Sequence, residues 1–396
     1  MLQFLTLNLS FYTRMVANRR ILALDVMRGI TIVGMILFNT SSGYHYAPLN
    51  HAPWIGFTLA DTAFPFFMFI VGITTWLSMK KYGAVPLSSE GMRHSMLLRR
   101  ILMRTFSLVL VCWAFDLVGK WLFGLARGDC ALDFSHLRYT GVLVRLGVCY
   151  GVCAIAALYV KLRNFPHVII GLLLGYFVLL LLGQGFERIP ENILGIVDRA
   201  LIGEVHMCND AGIDPEGILS TIPSVAHTML GFWVGARFFG QFVQGEDNRL
   251  QGLLFLFVVG ASLLLGGFLL SGVCPVSKKI WSPTFVMITC GAATLLLALL
   301  IYYIDMYGRA RRIAGFFQVF GANPLVLYLF SEAVLWPMEL IKVNSDGTDL
   351  WGCIFERILV PLFGYQGGDL VFALLNVALC WLLGYVLLRK KIYIKL

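Results

Sequence analysis

Apolar residues fall in long, nearly unbroken runs along the whole chain, at 29–38, 63–79, 106–115, 168–182, 252–271, 284–304, 319–335 and 370–388. Many reach or approach the roughly 20 residues that carry a helix across a bilayer. In hydrocarbon each backbone N–H and C=O must be paired within the protein, so such runs predict helices. The weak alternation of an outer-membrane barrel is absent. With flanking residues added, the pattern predicts an all-α, polytopic membrane helix bundle of about ten transmembrane helices. They are placed at 21–40, 59–79, 97–119, 139–160, 166–185, 217–237, 250–271, 283–304, 313–337 and 369–389. Residues 1–20 form a tail, and 21–396 a single transmembrane domain.

The stretches between runs refine this outline. Residues 351–368 are half-apolar and hold Pro361 and several glycines, which suits an interfacial or re-entrant segment better than a span. Asp214-Pro215-Glu216 is a good helix start: a capping side chain, proline at the first position, then an acid in the first turn. Pro223 should kink the sixth helix. Gly171/Gly175 and Gly231/Gly235 are small-xxx-small pairs that let helices approach closely.

Composition agrees, since the chain is 59% hydrophobic and only 13% charged, against about a quarter charged in a soluble domain. The net charge of +9 does not point to nucleic acid, because the basic residues are spread between spans and report topology. Arg14, Arg19 and Arg20 precede the first span. Alternation then gathers Lys80, Lys81, Arg93, Arg99 and Arg100, then Lys161 and Arg163, Arg237 and Arg249, Arg309, Arg311 and Arg312, and Arg389, Lys390 and Lys391 on one side. Most acids, among them Asp129, Asp133, Glu187, Asp198, Asp210, Asp346 and Asp349, fall on the other. Both termini are therefore expected in the cytoplasm. Residues 1–20 show no small-residue cleavage site, so they read as a cytoplasmic tail, or Met15 is the start. Of nine cysteines, Cys130, Cys208, Cys274 and Cys353 fall in outer loops and are candidates for disulfides.

Ionisable residues within spans are costly and functional by default. Here they are Asp25, Arg28, Asp61, Asp116, Arg145, His227 and Glu332. Asp25 and Arg28 share a helical face and either neutralise each other or offer Arg28 to a phosphate. Arg145 has no local partner. Among the histidines, His51 stands out by its setting: Asn39 closes the helix before it and Asp61 follows it. Imidazole can take a proton from an attacking amine or hydroxyl near neutral pH. A carboxylate can orient that imidazole, and an amide N–H can stabilise an oxyanion. No G-x-S-x-G elbow, phosphate loop or metal-ligand cluster occurs, so metal is not expected.

The strings Leu24-Asp25-Val26-Met27-Arg28-Gly29, His51-Ala52-Pro53-Trp54-Ile55-Gly56-Phe57-Thr58-Leu59-Ala60-Asp61 and Phe64-Pro65-Phe66-Phe67 resemble the heparan-α-glucosaminide N-acetyltransferase family. The likeness continues in Gly141-Val142-Leu143-Val144-Arg145, Pro215-Glu216-Gly217-Ile218-Leu219, Lys278-Lys279-Ile280-Trp281-Ser282 and Gly321-Ala322-Asn323-Pro324 with Tyr328. The resemblance implies that acetyl passes from cytosolic acetyl-CoA, as co-substrate, to a glucosamine amine on the far side. It places the catalytic histidine at His51 and a partner asparagine at Asn39; Asp61 would orient the imidazole. Arg28, Arg100 and Arg104 would meet the donor's phosphates, and Arg145 would position donor or acceptor. The large luminal N-terminal domain of the lysosomal enzyme has no counterpart here, so acceptor recognition should differ. The expected partners are an amino-sugar or glycan acceptor, the lipid bilayer and a second copy in a homodimer, and the expected site is a bacterial inner membrane. An amino-sugar permease without acyl transfer also fits a ten-helix bundle with buried charges.

Overall fold

The apolar runs fold as helices, and local chemistry sets where each begins. The structure, a computed structural model, describes residues 21–81, 91–128, 132, 134–208, 210–242, 246–308, 311–343 and 348–394. Helix α1 (Leu22–Asn39) ends at Thr40, whose extended backbone opens a long loop. A 3-10 turn over Leu59–Thr62, closed by a capping box between Thr58 and Asp61, starts α2 (Ala63–Lys80). Then follow α3 (Gly91–Ala126), α4 (Val142–Tyr159) and α5 (Phe165–Leu182). A short helix, α6 (Ile193–Leu201), precedes α7 (Ile218–Arg237), which contains Pro223. The chain continues with α8 (Glu246–Leu270), α9 (Pro283–Leu300), α10 (Arg311–Ala322), α11 (Pro324–Ala333), α12 (Leu335–Leu340), α13 (Leu350–Ile354) and α14 (Val360–Arg389).

Among the described residues, nine helices are long and apolar enough to cross a membrane, and counting one bent pair makes ten. The bent pair corrects the ninth expected span, 313–337, which is not straight. It turns by 77° between Ala322 and Pro324. Proline lacks an N–H and crowds the residue before it out of the helical region, and Asn323 sits at φ −134°, ψ 58°. The C-terminal segment satisfies the break: the Asn323 amide donates to the Ile392 carbonyl and its oxygen accepts the Ile394 N–H.

Residues 350–363 are helical but do not run straight into the last span. Gly364 takes φ 70°, ψ 175°, open to glycine at little cost. The rings of Trp351 and Phe372 lie 3.7 Å apart, where a straight helix would separate them by about 30 Å. The chain therefore doubles back at Gly364.

The centre of the bundle is α7, with 72% of its span buried against 11% for α3. Glycines set the tightest crossings. A Cβ on Gly231 would fall on the Phe69 carbonyl of α2, and one on Gly72 on the Thr228 carbonyl of α7. Gly29 meets Phe317 of α10 in the same way, and Gly321 meets Asp25 of α1. Gly171 and Gly175 differ from expectation: among the described residues nothing lies within 4 Å of either Cβ position, so no described helix packs closely against that pair. Cys208, Cys274 and Cys353 are free thiols. Cys130 and the tail 1–20 lie outside the described residues.

Substituting Gly231 by leucine should therefore force α2 and α7 apart, an overpacking cost of about 1–3 kcal/mol. Gly171→Leu should cost little. Thermal unfolding midpoints in detergent separate the two, and equal midpoints would contradict the crossing described.

Candidate active site

A pocket of about 240 Å³ opens where several helix ends meet. Its walls include Met35, Phe38 and Asn39 from the end of α1, His51 from the following loop, and Ala60, Ala63 and Phe64 at the start of α2. Val142 opens α4, Pro215 and Glu216 precede α7, Lys278, Lys279 and Trp281 precede α9, and Tyr328 lies on α11. These ends thus share one face of the bundle.

His51 and Asp61, which the sequence put forward together, meet in the structure. His51 Nδ1 lies 2.8 Å from Asp61 Oδ1. The His51 side chain is 36% exposed, whereas Asp61 is fully buried. The other oxygen of Asp61 accepts N–H donors from Ala52 at 3.2 Å and Thr58 at 3.1 Å, and the Thr58 hydroxyl at 3.0 Å. One carboxylate thus caps a helix and holds an imidazole. With Nδ1 donating to Asp61, the remaining nitrogen, Nε2, is the acceptor available to a proton.

Asn39 lines the same pocket, its amide donating to Glu332 Oε1 at 3.3 Å. An amide carries two N–H donors, so one is left for an oxyanion. Glu332 is the intramembrane acid noted in the sequence, and its contact is with Asn39.

Other expected residues lie elsewhere. Arg145 is buried behind the pocket wall and does not line it. It donates to the Gly217 carbonyl at 3.3 Å and to the Ser220 hydroxyl, and its guanidinium lies 5.1 Å from the Trp281 ring. Trp281 does line the pocket, and its backbone is held at φ 53°, a position a bulky residue adopts only when its surroundings enforce it. Arg145 therefore supports the wall from behind. Arg28 binds Asp25 at 3.1 Å and the Gly321 carbonyl at 3.2 Å. It lies about 16 Å from Asn39 along α1, by helical rise. Arg104 lies over the Tyr150 ring at 4.4 Å, and Arg100 is exposed. His227 is a packed residue of the core, bonded to the Pro65 carbonyl at 2.8 Å.

Sequence reasoning left several site residues unassigned. Lys278 Nζ sits 3.2 Å from His51 Nδ1, 3.4 Å from Nε2 and 3.8 Å from Asp61 Oδ1. Burial pulls the Lys278 ammonium below the usual lysine range, although the Asp61 charge opposes this. Glu216 accepts from Arg138 at 2.6 Å, and Arg138 also reaches Asp214 at 3.1 Å. The strings Lys278-Lys279-Ile280-Trp281 and Pro215-Glu216-Gly217 carried the signal for Lys278 and Glu216, as parts of the family likeness. Among the described residues no group of three His, Cys, Asp or Glu side chains converges as for a metal.

Beneath this wall, Asp198 is fully buried. One oxygen accepts the Ile218 N–H at 2.8 Å, and burial raises its pKa to about 6. A carboxyl whose folded pKa lies above its unfolded value stabilises the fold at acid pH, and that contribution is lost as pH rises through about 6. Asp198→Asn keeps the acceptor and cannot ionise. Above pH 6 it should be more stable than the parent by on the order of 1–3 kcal/mol and so unfold at a higher temperature, with the gap closing near pH 4. Thermal melts across that range measure it, and a gap that widens toward acid pH would contradict it.

A family model described as heparan-alpha-glucosaminide N-acetyltransferase, catalytic, matches residues 20–219. The heparan-alpha-glucosaminide N-acetyltransferase of Homo sapiens is 26% identical over 95% of this chain and 60% of its own length. That of Mus musculus is 24% identical over 97% of this chain and 62% of its own length. The chain thus spans less than two thirds of either relative. The match covers half the chain and every motif from the Asp25 string through the Pro215-Glu216 helix start, so the chain belongs to the heparan-alpha-glucosaminide N-acetyltransferase catalytic family.

Proposed function

We propose that this chain transfers acetyl from cytoplasmic acetyl-CoA to the amine of a glucosamine-type sugar on the opposite side of a bacterial inner membrane. The observation that supports it best is the His51–Asp61 pair, at 2.8 Å, in one pocket with Asn39. Asp61 fixes the tautomer that leaves Nε2 as base. The acceptor amine gives a proton to Nε2 as its lone pair attacks the thioester carbon. The tetrahedral oxyanion takes an N–H of Asn39. Collapse breaks the C–S bond, and the departing thiolate takes the proton back from His51. Acceptor and thioester react directly here, since holding both in one pocket removes the need for a covalent enzyme intermediate.

The donor's phosphates would lie toward Arg28, Arg100 and Arg104, with the pantetheine arm threading the bundle toward His51. In the pocket, the Glu216 carboxylate provides negative charge for an amino sugar and the Trp281 ring an apolar face. Arg145 acts through Trp281 rather than by touching substrate.

Purified protein with labelled acetyl-CoA and glucosamine should form the N-acetyl sugar. His51→Ala should lower turnover by about 10²–10⁴ while the protein stays folded, and Asn39→Ala by about 10². Turnover that survives loss of His51 would sink the assignment; uptake of the sugar into vesicles without acetyl-CoA would favour a permease.

A further inference from the structure

The acceptor pocket already contains a primary amine. Lys278 Nζ lies 3.2 Å and 3.4 Å from the two ring nitrogens of His51, the place an acceptor amine must reach to give up its proton. We propose that Lys278 is itself an acetyl acceptor, modified by its own active site when donor is bound and sugar is absent. This rests on the acetyl-transfer reading above and names a self-modification that limits that site.

Three observations carry the proposal. The Lys278 side chain lines the pocket and is only 19% exposed, so its flexible stem holds the amine inside rather than in solvent. Its nearest carboxylate contact is the 3.8 Å approach to Asp61 Oδ1, an oxygen already engaged with His51 at 2.8 Å. Its neighbour Lys279 differs in geometry: its amine is drawn to Asp210 at 2.7 Å, in an ion pair that Lys278 lacks. Burial also makes the neutral, nucleophilic form of Lys278 easier to reach than that of an ordinary lysine.

The chemistry balances without a further reactant. The Lys278 ammonium first loses one proton to solvent. The neutral amine attacks the thioester carbon and passes a second proton to His51 Nε2. The amide C–N bond forms on that attack, the C–S bond then breaks, and the departing thiolate takes the proton back from His51. The products are Nε-acetyl-lysine and free coenzyme A, with no change of oxidation state. The amide carries no charge, so the contact with Asp61 is lost and the acetyl group fills the seat of the acceptor. Each such event inactivates one molecule, and sugar protects by occupying the seat first.

The full chain in detergent is incubated with labelled acetyl-CoA, with and without glucosamine, and acetylated peptides are mapped. Label should accumulate on Lys278 and not on Lys279, approach one acetyl per chain, and fall when glucosamine is present. It should be absent from Lys278→Arg, and at least tenfold slower in His51→Ala, whose folding is checked by its thermal melt. Activity toward sugar should decay in step with labelling. Labelling should also quicken as pH rises, levelling off below the range of an exposed lysine. Label on other residues alone, or equal labelling in His51→Ala, overturns the proposal. No label alongside normal transfer to glucosamine overturns it and leaves the acetyl-transfer reading intact. Neither label nor transfer to sugar removes both.

Discussion

The Asp61 carboxylate is fully buried, and a buried charge is tolerable only where it is paired and hydrogen-bonded. Its oxygens divide the task. One collects the Ala52 and Thr58 N–H groups and the Thr58 hydroxyl, while the other faces His51 and, more distantly, Lys278. The start of α2, the path of the loop before it and the orientation of the imidazole are therefore consequences of one desolvated anion. Disturbing any of its partners leaves charge without compensation, so the structural and chemical roles of Asp61 are inseparable.

The same economy governs the rest of the site. The loop after α1 is tied to the last span: His45 Nδ1 lies 2.6 Å from Asp369, and the Ser41 hydroxyl donates to the same carboxylate at 3.1 Å. The opposite wall hangs on Arg138, which bridges Asp214 and Glu216, and on Arg145, which underlies Trp281. Each cation thus fixes a segment whose tip enters the pocket. The glycine crossings of α2 with α7 and α1 with α10 bring those segments within reach. Chemistry at one face depends on close packing deep in the bundle.

Hydropathy alone located most spans, because hydrocarbon allows backbone few choices. It missed the break at Asn323, where one residue's backbone decides and the apolar pattern continues across it. The reversal at Gly364 falls within 351–368, whose proline and glycines already set it apart from a straight span. Gly171 and Gly175 show the converse, since a small-residue spacing offers an approach without specifying a partner. At the site, His51, Asn39 and Asp61 were legible because they lie within one loop and its flanking helix ends. Lys278, Glu216 and Glu332 come from distant segments. A loop lysine or a span acid has no visible partner until folding supplies one. Arg145 was read as positioning donor or acceptor because an intramembrane charge with no local partner suggests function; folding supplies it a carbonyl, a hydroxyl and an indole from across the bundle.

In the proposed reaction acetyl crosses the bilayer to reach the His51 pocket on the far face. The direct measurement uses oriented proteoliposomes, with labelled acetyl-CoA only on the side bearing Arg28 and glucosamine only on the side bearing His51. The expected result is labelled N-acetylglucosamine on the His51 side, with coenzyme A retained on the other. Product that forms only when both substrates share one side would contradict the account.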